Sequence, residues 1–400
     1  MKIPVVNPKA TFGALLIGAV CCLLFPVSCS NASADYADPI QSIENSLIPI
    51  TSDGSTIHQT IYERMKVLGI PGVSIAVFDS GHIIWAKGYG LRDLERSLPV
   101  DTNTLFQAAS VSKPLASAAM FKLVENNTLS LDEDVNLKLR GWKVPDNQYT
   151  TTEKVTLRRI VSHTAGLGVH GFSGYNQKDS IPTLAQILEG APPANSPPVR
   201  VIALPGKKET YSGGAFTVMQ LLMEETTGKP LGQLAQELVF APVGMTHSTY
   251  TLPLPARFDT LVAKGYDDNK KQVEGGYHVF PEMAATGLWS TPSDLARFML
   301  NIGNAYRGGD GLLKQATVQT MLTRSSGGSG HGFALDGKDS ALCFWHSGSN
   351  AGFTAYAVSF EQIGRGVVIM TNSKKGMPFI HELLRAISKE YRWPSMWPKE

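Results

Sequence analysis

The distribution of β-rich and helical patterns along this 400-residue sequence is the feature that most constrains its fold. Residues 72–78 and 82–89 are rich in β-branched and aromatic side chains and flank the turn cluster Asp79-Ser80-Gly81, which predicts an antiparallel hairpin. A second hairpin is predicted near the other end, from residues 353–360 and 366–371. The two ends of the chain therefore supply the strands.

Helical patterns fill the region between these ends, where Leu, Ile, Met and Val recur at three- and four-residue spacing. Thr291, Pro292 and Asp294 form the pattern of a capping box with proline at the first helical position. The predicted helices are residues 111–124, 157–161, 216–225, 231–240, 292–302 and 378–391.

These patterns predict an α+β fold in which one antiparallel sheet, flanked by helices, is built from both chain ends. The sheet parts are expected at about residues 55–108 and 330–395, including a strand at 341–346, and an inserted, mostly helical part at about 109–305. Residues 35–400 are predicted to form a single domain, with residues 35–57 as a polar lead-in. A site between the sheet and the helical part follows from this architecture.

The N-terminus predicts export. Lys2 and Lys9 precede the uncharged run 11–27, and Ala32-Ser33-Ala34 supplies the small residues that a signal peptidase requires, so residues 1–34 are predicted to be a cleaved signal peptide. The mature protein would be periplasmic or secreted, with no stable membrane span. A lipid anchor on Cys29 is the alternative, although Pro26 stands where such signals usually carry leucine.

Composition excludes several classes of function. Removal of residues 1–34 takes away two lysines and no acidic residue, so the formal net charge falls from +2 to 2 − 2 = 0. A chain with no net positive charge is not expected to bind nucleic acid electrostatically. Cys343 is then the only cysteine, so no internal disulfide forms. His381-Glu382 lacks the second histidine of a zinc protease, and we expect no metal. The oligomeric state is left open.

A serine and a lysine lie three residues apart in the Ser-Val-Ser-Lys run at 110–113, at the predicted start of a helix. This spacing places Ser110 and Lys113 on one helix face, where a lysine amine with a lowered pKa can accept the hydroxyl proton. Desolvation would lower that pKa. The pair is a candidate nucleophile and base.

Two further segments carry candidate site residues. Tyr211 precedes a predicted helix in the run 210–214, and a phenol beside a cation such as Lys113 can act as a base. His346 stands at the end of the predicted strand 341–346, where it could orient a substrate carboxylate or join a hydrogen-bond network. Gly348 and Ser349 follow it, and their small size would let a substrate lie against the backbone.

Three short runs resemble, in order, the three motifs of penicillin-recognising serine enzymes. They are Ser-Val-Ser-Lys from residue 110, Tyr-Ser-Gly from residue 211 and His-Ser-Gly from residue 346. The sequence is most similar to the class C β-lactamase branch, which includes D-Ala-D-Ala carboxypeptidases, D-aminopeptidases and carboxylesterases. The resemblance covers about residues 55–375, and supporting stretches lie at 160–167, 204–207 and 284–290.

The resemblance implies a β-lactamase/transpeptidase-like fold and a Ser110 acyl-enzyme, with Lys113 and Tyr211 exchanging its proton. Which of these two is the base stays open. It also implies that the backbone N–H groups of Ser110 and Ser349 form the oxyanion hole, and that no cofactor takes part. The expected partner is a small-molecule or peptide substrate.

Two departures from the family pattern bear on the substrate. Gly213 stands where the second motif commonly has asparagine, and His346 where the third commonly has lysine. Both favour an esterase or D-amino-acid peptidase over an efficient β-lactamase. The alternative from another functional class is a penicillin-binding or cell-envelope interaction protein that acylates slowly or not at all.

Overall fold

The structure is a computed structural model that describes residues 38–49, 57–338 and 341–394. The predicted signal peptide and Cys29 lie outside these residues, so export and the lipid anchor stay predictions. In the part of the chain that the structure describes, no helix combines the length and apolar character needed to cross a membrane.

The main sheet consists of β1 Gly72–Asp79, β2 His82–Asp93, β3 Leu98–Pro99, β6 Ala334–Asp336, β7 Cys343–Asn350, β8 Phe353–Phe360 and β9 Arg365–Thr371. Its strand order is β3-β2-β1-β9-β8-β7-β6, and every neighbouring pair is antiparallel. The short strands β4 (Phe106–Gln107) and β5 (Trp289–Ser290) form a separate two-stranded ladder. Because β1 pairs with β9, the two ends of the chain meet in one sheet, which confirms the predicted α+β architecture.

Most of the helices lie between the two groups of strands. In chain order they are α1 Pro39–Glu44, α2 Ile61–Leu68, α3 Ser112–Glu125, α4 Leu157–Val161, α5 Leu184–Glu189, α6 Gly213–Thr227, α7 Leu231–Ala235, α8 Ala241–Val243, α9 Met283–Thr286, α10 Pro292–Tyr306, α11 Gln315–Met321 and α12 Gly376–Glu390.

Some of the helices differ from their predictions in extent or in the way they are capped. The predicted helix at 231–240 is α7 followed by a π-helical segment, Gln236–Phe240. The segment expected to be only a lead-in contains α1, whose Ile43 is buried. Thr291 caps α10 as predicted, but Asp294 does not complete a reciprocal box, because its carboxylate accepts hydrogen bonds from the backbone of His247 and from the Ser248 hydroxyl.

Strand β7 differs most from its prediction, since it runs to Asn350 and not to His346. The Ser-Gly-Ser segment has weak strand propensity, but it continues the ladder with β8 as far as the Asn350–Phe353 pair. Gly352, with φ of 78°, makes the tight connection between the two strands. The third motif therefore lies within a strand.

Two apolar layers cover the sheet. Side chains alternate along β1, so Val73, Ile75 and Val77 pack in the cluster that includes α12, whereas Ala76 and Phe78 pack in the cluster with α3 and α10. Helix α3 is apolar on most of its surface and is buried from Ser112 to Phe121. A buried helix holds its N-terminus rigidly, and Ser110 lies just before that N-terminus.

Candidate active site

Ser110 lies in a 3₁₀ turn, Ala109–Val111, that leads directly into α3. Ala109 adopts a left-handed conformation with φ of 49°, which is costly for a residue with a side chain. Ser110 itself is half-buried and faces a cleft of about 710 Å³. The strained turn presents the hydroxyl to this cleft.

Lys113 is almost fully buried, with 1% of its surface exposed. Its Nζ lies 3.0 Å from Ser110 Oγ and donates a hydrogen bond to the Ala285 carbonyl at 2.8 Å. Burial lowers the pKa of Lys113 below its ordinary value, an effect that the neighbouring Tyr211 hydroxyl opposes. A neutral amine held by Ala285 can direct its lone pair at the serine proton.

Tyr211 lies in the same cleft, although it is about a hundred residues away in sequence. The Lys113 amine is 4.9 Å from the centre of the Tyr211 ring. The structure therefore brings together the serine, lysine and tyrosine that the sequence singled out separately.

His346 is buried, with 8% of its surface exposed, and its Nδ1–H donates to the Ser347 carbonyl at 2.6 Å. Burial and, to a smaller extent, the Lys113 charge lower the pKa of His346 to about 3, against the effect of that hydrogen bond. The ring is neutral at physiological pH. Of the two roles predicted from sequence, this geometry favours membership of a hydrogen-bond network over binding of a carboxylate by charge.

Gly348 packs directly against the turn that carries the nucleophile. A Cβ at this position would lie 2.4 Å from the Ala108 carbonyl oxygen and 2.7 Å from the Ser110 backbone nitrogen. Ser349 is exposed on the next position of β7. Strand β6 pairs with Cys343–Trp345, and the residues of β7 that follow, 346–349, line the cleft.

We predict that Gly348→Ala lowers kcat by about 10²-fold, with a smaller change in KM. The added methyl group meets backbone atoms, which must move, and one of them is the Ser110 nitrogen expected to stabilise the oxyanion. Steady-state kinetics with a chromogenic ester measures this effect. Gly171→Ala is the matched control, because Gly171 lines the same cleft and an added Cβ there has no atom within 4 Å. Equal kinetics in the two variants would contradict the prediction.

A buried polar network supports the end of β7. Asn350 accepts a hydrogen bond from Thr286 Oγ1 at 2.6 Å and donates one to Gln107 Oε1 at 2.9 Å. Thr286 belongs to the helix whose Ala285 holds the lysine amine. The stretch 284–290 therefore connects the Lys113 amine to the end of β7, which its sequence pattern did not reveal.

Two further contacts were not predicted from sequence. The exposed Lys374 donates from Nζ to Ser349 Oγ at 3.1 Å, so a cation lies at the edge of the site. The His163 ring stacks on Tyr211 with centroids 4.4 Å apart. His163 belongs to the stretch 160–167 that supports the family resemblance. Nothing in that stretch indicates that the His163 ring contacts Tyr211.

The rest of the cleft is suited to a small organic ligand or a short peptide. Its volume of about 710 Å³ lies within the range of small-molecule sites. Apolar side chains contribute much of its wall, namely Phe172, Phe333, Leu335, Trp345 and Met377.

A serine just before a helix and a buried lysine in the first turn of that helix, beside an antiparallel sheet, are the arrangement expected of β-lactamases and penicillin-binding proteins. The family model described as Beta-lactamase matches residues 57–390. The chain belongs to the beta-lactamase family.

Curated relatives and a solved structure show what the chain is similar to. The chain is 28% identical to unguisins hydrolase ungD of Aspergillus violaceofuscus over 64% of its own length and 46% of that protein, so it spans less than half of this relative. It is 26% identical to penicillin-binding protein 4 of Amycolatopsis lactamdurans over 80% of its length and 86% of that protein. The octameric penicillin-binding protein homologue of Pyrococcus abyssi shares the fold, with a TM-score of 0.69, 23% identity and coverage of 83% and 76%.

Proposed function

We propose that the protein is an exported serine hydrolase that cleaves an ester or amide through an acyl-enzyme on Ser110. The observation that carries this proposal is the buried Lys113 amine 3.0 Å from the serine hydroxyl. Hydrolase-named relatives and the family match support the reaction class.

In the first half-reaction, the neutral Lys113 amine takes the Ser110 proton while Oγ attacks the substrate carbonyl carbon. The developing oxyanion is stabilised by the backbone N–H groups of Ser110 and Ser349. Collapse of the tetrahedral intermediate breaks the bond to the leaving alcohol or amine, which receives its proton through Tyr211. Water then attacks the acyl ester, releases the acid and restores the serine.

The site favours uncharged esters over β-lactams and D-Ala-D-Ala peptides, which both carry a carboxylate. His346 is neutral and therefore does not replace the positive charge of the lysine that commonly begins the third motif. Gly213 has no side chain to hold a substrate amide, as an asparagine in the second motif would. Lys374, at the edge of β7, and Arg324, which lines the cleft, are both exposed cations and are therefore screened by solvent.

Burst and steady-state kinetics with p-nitrophenyl butyrate, nitrocefin and a D-Ala-D-Ala peptide test the proposal. We expect sustained turnover of the ester, a lower rate for the peptide and the lowest kcat/KM for nitrocefin. A single stoichiometric burst followed by no turnover would instead establish the slowly acylating, penicillin-binding alternative. No turnover and no acyl adduct with any of the three would reject the proposed hydrolase.

The contribution of Lys374 to substrate choice is open to a direct test. We predict that Lys374→Ala raises KM for the D-Ala-D-Ala peptide about twofold to fivefold, because an exposed cation adds little to carboxylate binding. KM for the uncharged p-nitrophenyl butyrate stays the same. Lys375→Ala, at the adjacent exposed lysine, is the control. A shift of equal size for both substrates would show that Lys374 acts on the shape of the site and not through its charge.

A further inference from the structure

We propose that His163 is a positioning residue that fixes Tyr211 beside the Lys113 amine. The inference rests on the proposed function, because it concerns the proton transfers of the Ser110 acyl-enzyme. It assigns a role to a residue that none of the three motif segments contains.

His163 holds the backbone on both sides of Tyr211. Its carbonyl oxygen accepts a hydrogen bond from the Thr210 N–H at 2.7 Å, and its ring Nδ1 accepts one from the Ser212 N–H at 3.3 Å. Both contacts come from one residue in the left-handed conformation, with φ of 56°. Such a conformation is unfavourable for histidine, so the surrounding contacts must maintain it.

The imidazole also fixes the orientation of the Tyr211 ring. The ring planes of His163 and Tyr211 make an angle of 30°, and the ring centroids are 4.4 Å apart. The ring of the exposed His170 also contacts Tyr211, with a centroid distance of 4.7 Å. His163 is 7% exposed and contacts Phe216 at a ring distance of 5.4 Å. The rings of Tyr211 and Phe216 both lie close to the Lys113 amine. His163 therefore contacts both of the aromatic rings that neighbour this amine.

This arrangement requires a neutral His163. The Ser212 N–H needs an acceptor at Nδ1, and a protonated ring has a donor at both nitrogens. Burial lowers the pKa of His163 well below its ordinary value, and the nearby Lys113, His346 and His170 act in the same direction. The lowered pKa favours the neutral ring, which is the form that maintains the contact.

Two substitutions separate the components of this role. His163→Asn tolerates the left-handed backbone and offers an oxygen to Ser212, but it removes the ring from Tyr211. His163→Phe keeps a ring and removes the acceptor. We expect each variant to lose at least about tenfold in kcat for p-nitrophenyl butyrate, with KM within about twofold of the wild-type value.

The pH profile provides a readout that a merely structural role would not change. In His163→Asn, water gains access to the Lys113 amine and raises its pKa, so the acid limb of kcat/KM moves to higher pH. In His163→Phe the ring remains and the limb stays in place. Active-site titration with a fluorophosphonate gives the competent fraction of each preparation, and His82→Asn, at an exposed histidine at the start of β2, is the control.

Several results would overturn the inference. One is a kcat within threefold of wild type in either folded variant, and another is a loss of activity that only matches the loss of titratable sites. If His163→Phe does not fold, His163→Asn decides alone. If the wild-type protein turns over none of the substrates, the proposed function fails, and the rate at which the fluorophosphonate labels Ser110 then tests His163 independently.

Discussion

Ser110→Ala is expected to lower turnover of every substrate of this protein by about 10³-fold or more. The substitution removes the only atom of that residue that can carry the acyl group, and it leaves the binding cleft in place. Lys113 keeps its hydrogen bond to the Ala285 carbonyl, so the fold around the site is retained. The residual rate should equal the rate enhancement that substrate binding and the oxyanion hole provide when the nucleophile is absent.

Steady-state kinetics, together with thermal unfolding, measures this effect. Ser329→Ala is the matched control, because Ser329 lines the same cleft but its hydroxyl donates to Glu209 at 2.8 Å and takes no part in the proposed reaction. We expect the control to keep most of the wild-type activity. A Ser110→Ala variant with more than a tenth of wild-type kcat would show that another group is the nucleophile.

Lys113→Met is expected to lower kcat/KM by about 10²–10⁴-fold, the usual contribution of a general base. Methionine has a similar length and suits the buried position, so the substitution removes the amine with little change in packing. It also removes the cost of burying an amine but leaves the Ala285 carbonyl without this donor, so the two effects oppose each other and the thermal unfolding temperature should stay close to the wild-type value. Loss of activity in an equally stable protein separates this effect from unfolding.

The pH dependence of the same variant gives the sign of the lysine's role. Burial lowers the pKa of Lys113, so the neutral amine forms as pH rises through that lowered value. The wild-type kcat/KM should rise over this range and then level off, and the rise should be absent in Lys113→Met. A variant that keeps the same rising limb would assign the base to Tyr211, the alternative that the sequence left open.

The parts of the structure that were predicted from sequence depend on local patterns. Runs of β-branched and aromatic side chains on either side of short connecting segments revealed both hairpins, and the three-residue spacing of Ser110 and Lys113 predicted that the two groups lie close together. Ser110 itself lies in the 3₁₀ turn that precedes α3. The family resemblance linked the two groups to Tyr211 and His346. Each of these signals spans only a few residues or rests on a known motif order.

The parts that were not predicted depend on contacts between distant segments. The Ala285 carbonyl, 172 positions from Lys113, holds the amine, and no local pattern marks that pairing. The positive φ of Ala109 and His163 is imposed by tertiary packing. The low pKa of His346 follows from burial, which the sequence of a predicted strand end does not reveal. Extension of β7 to Asn350 likewise depends on its ladder with β8.

The most direct test of the central claim is to label the protein with a fluorophosphonate, map the adduct by mass spectrometry and follow the ester hydrolysis rate. We predict one phosphonate per molecule, located on Ser110, with activity lost in proportion to labelling and no adduct in Ser110→Ala. Labelling at a different residue, or full activity in a protein whose Ser110 is completely modified, would contradict the assignment of Ser110 as the nucleophile.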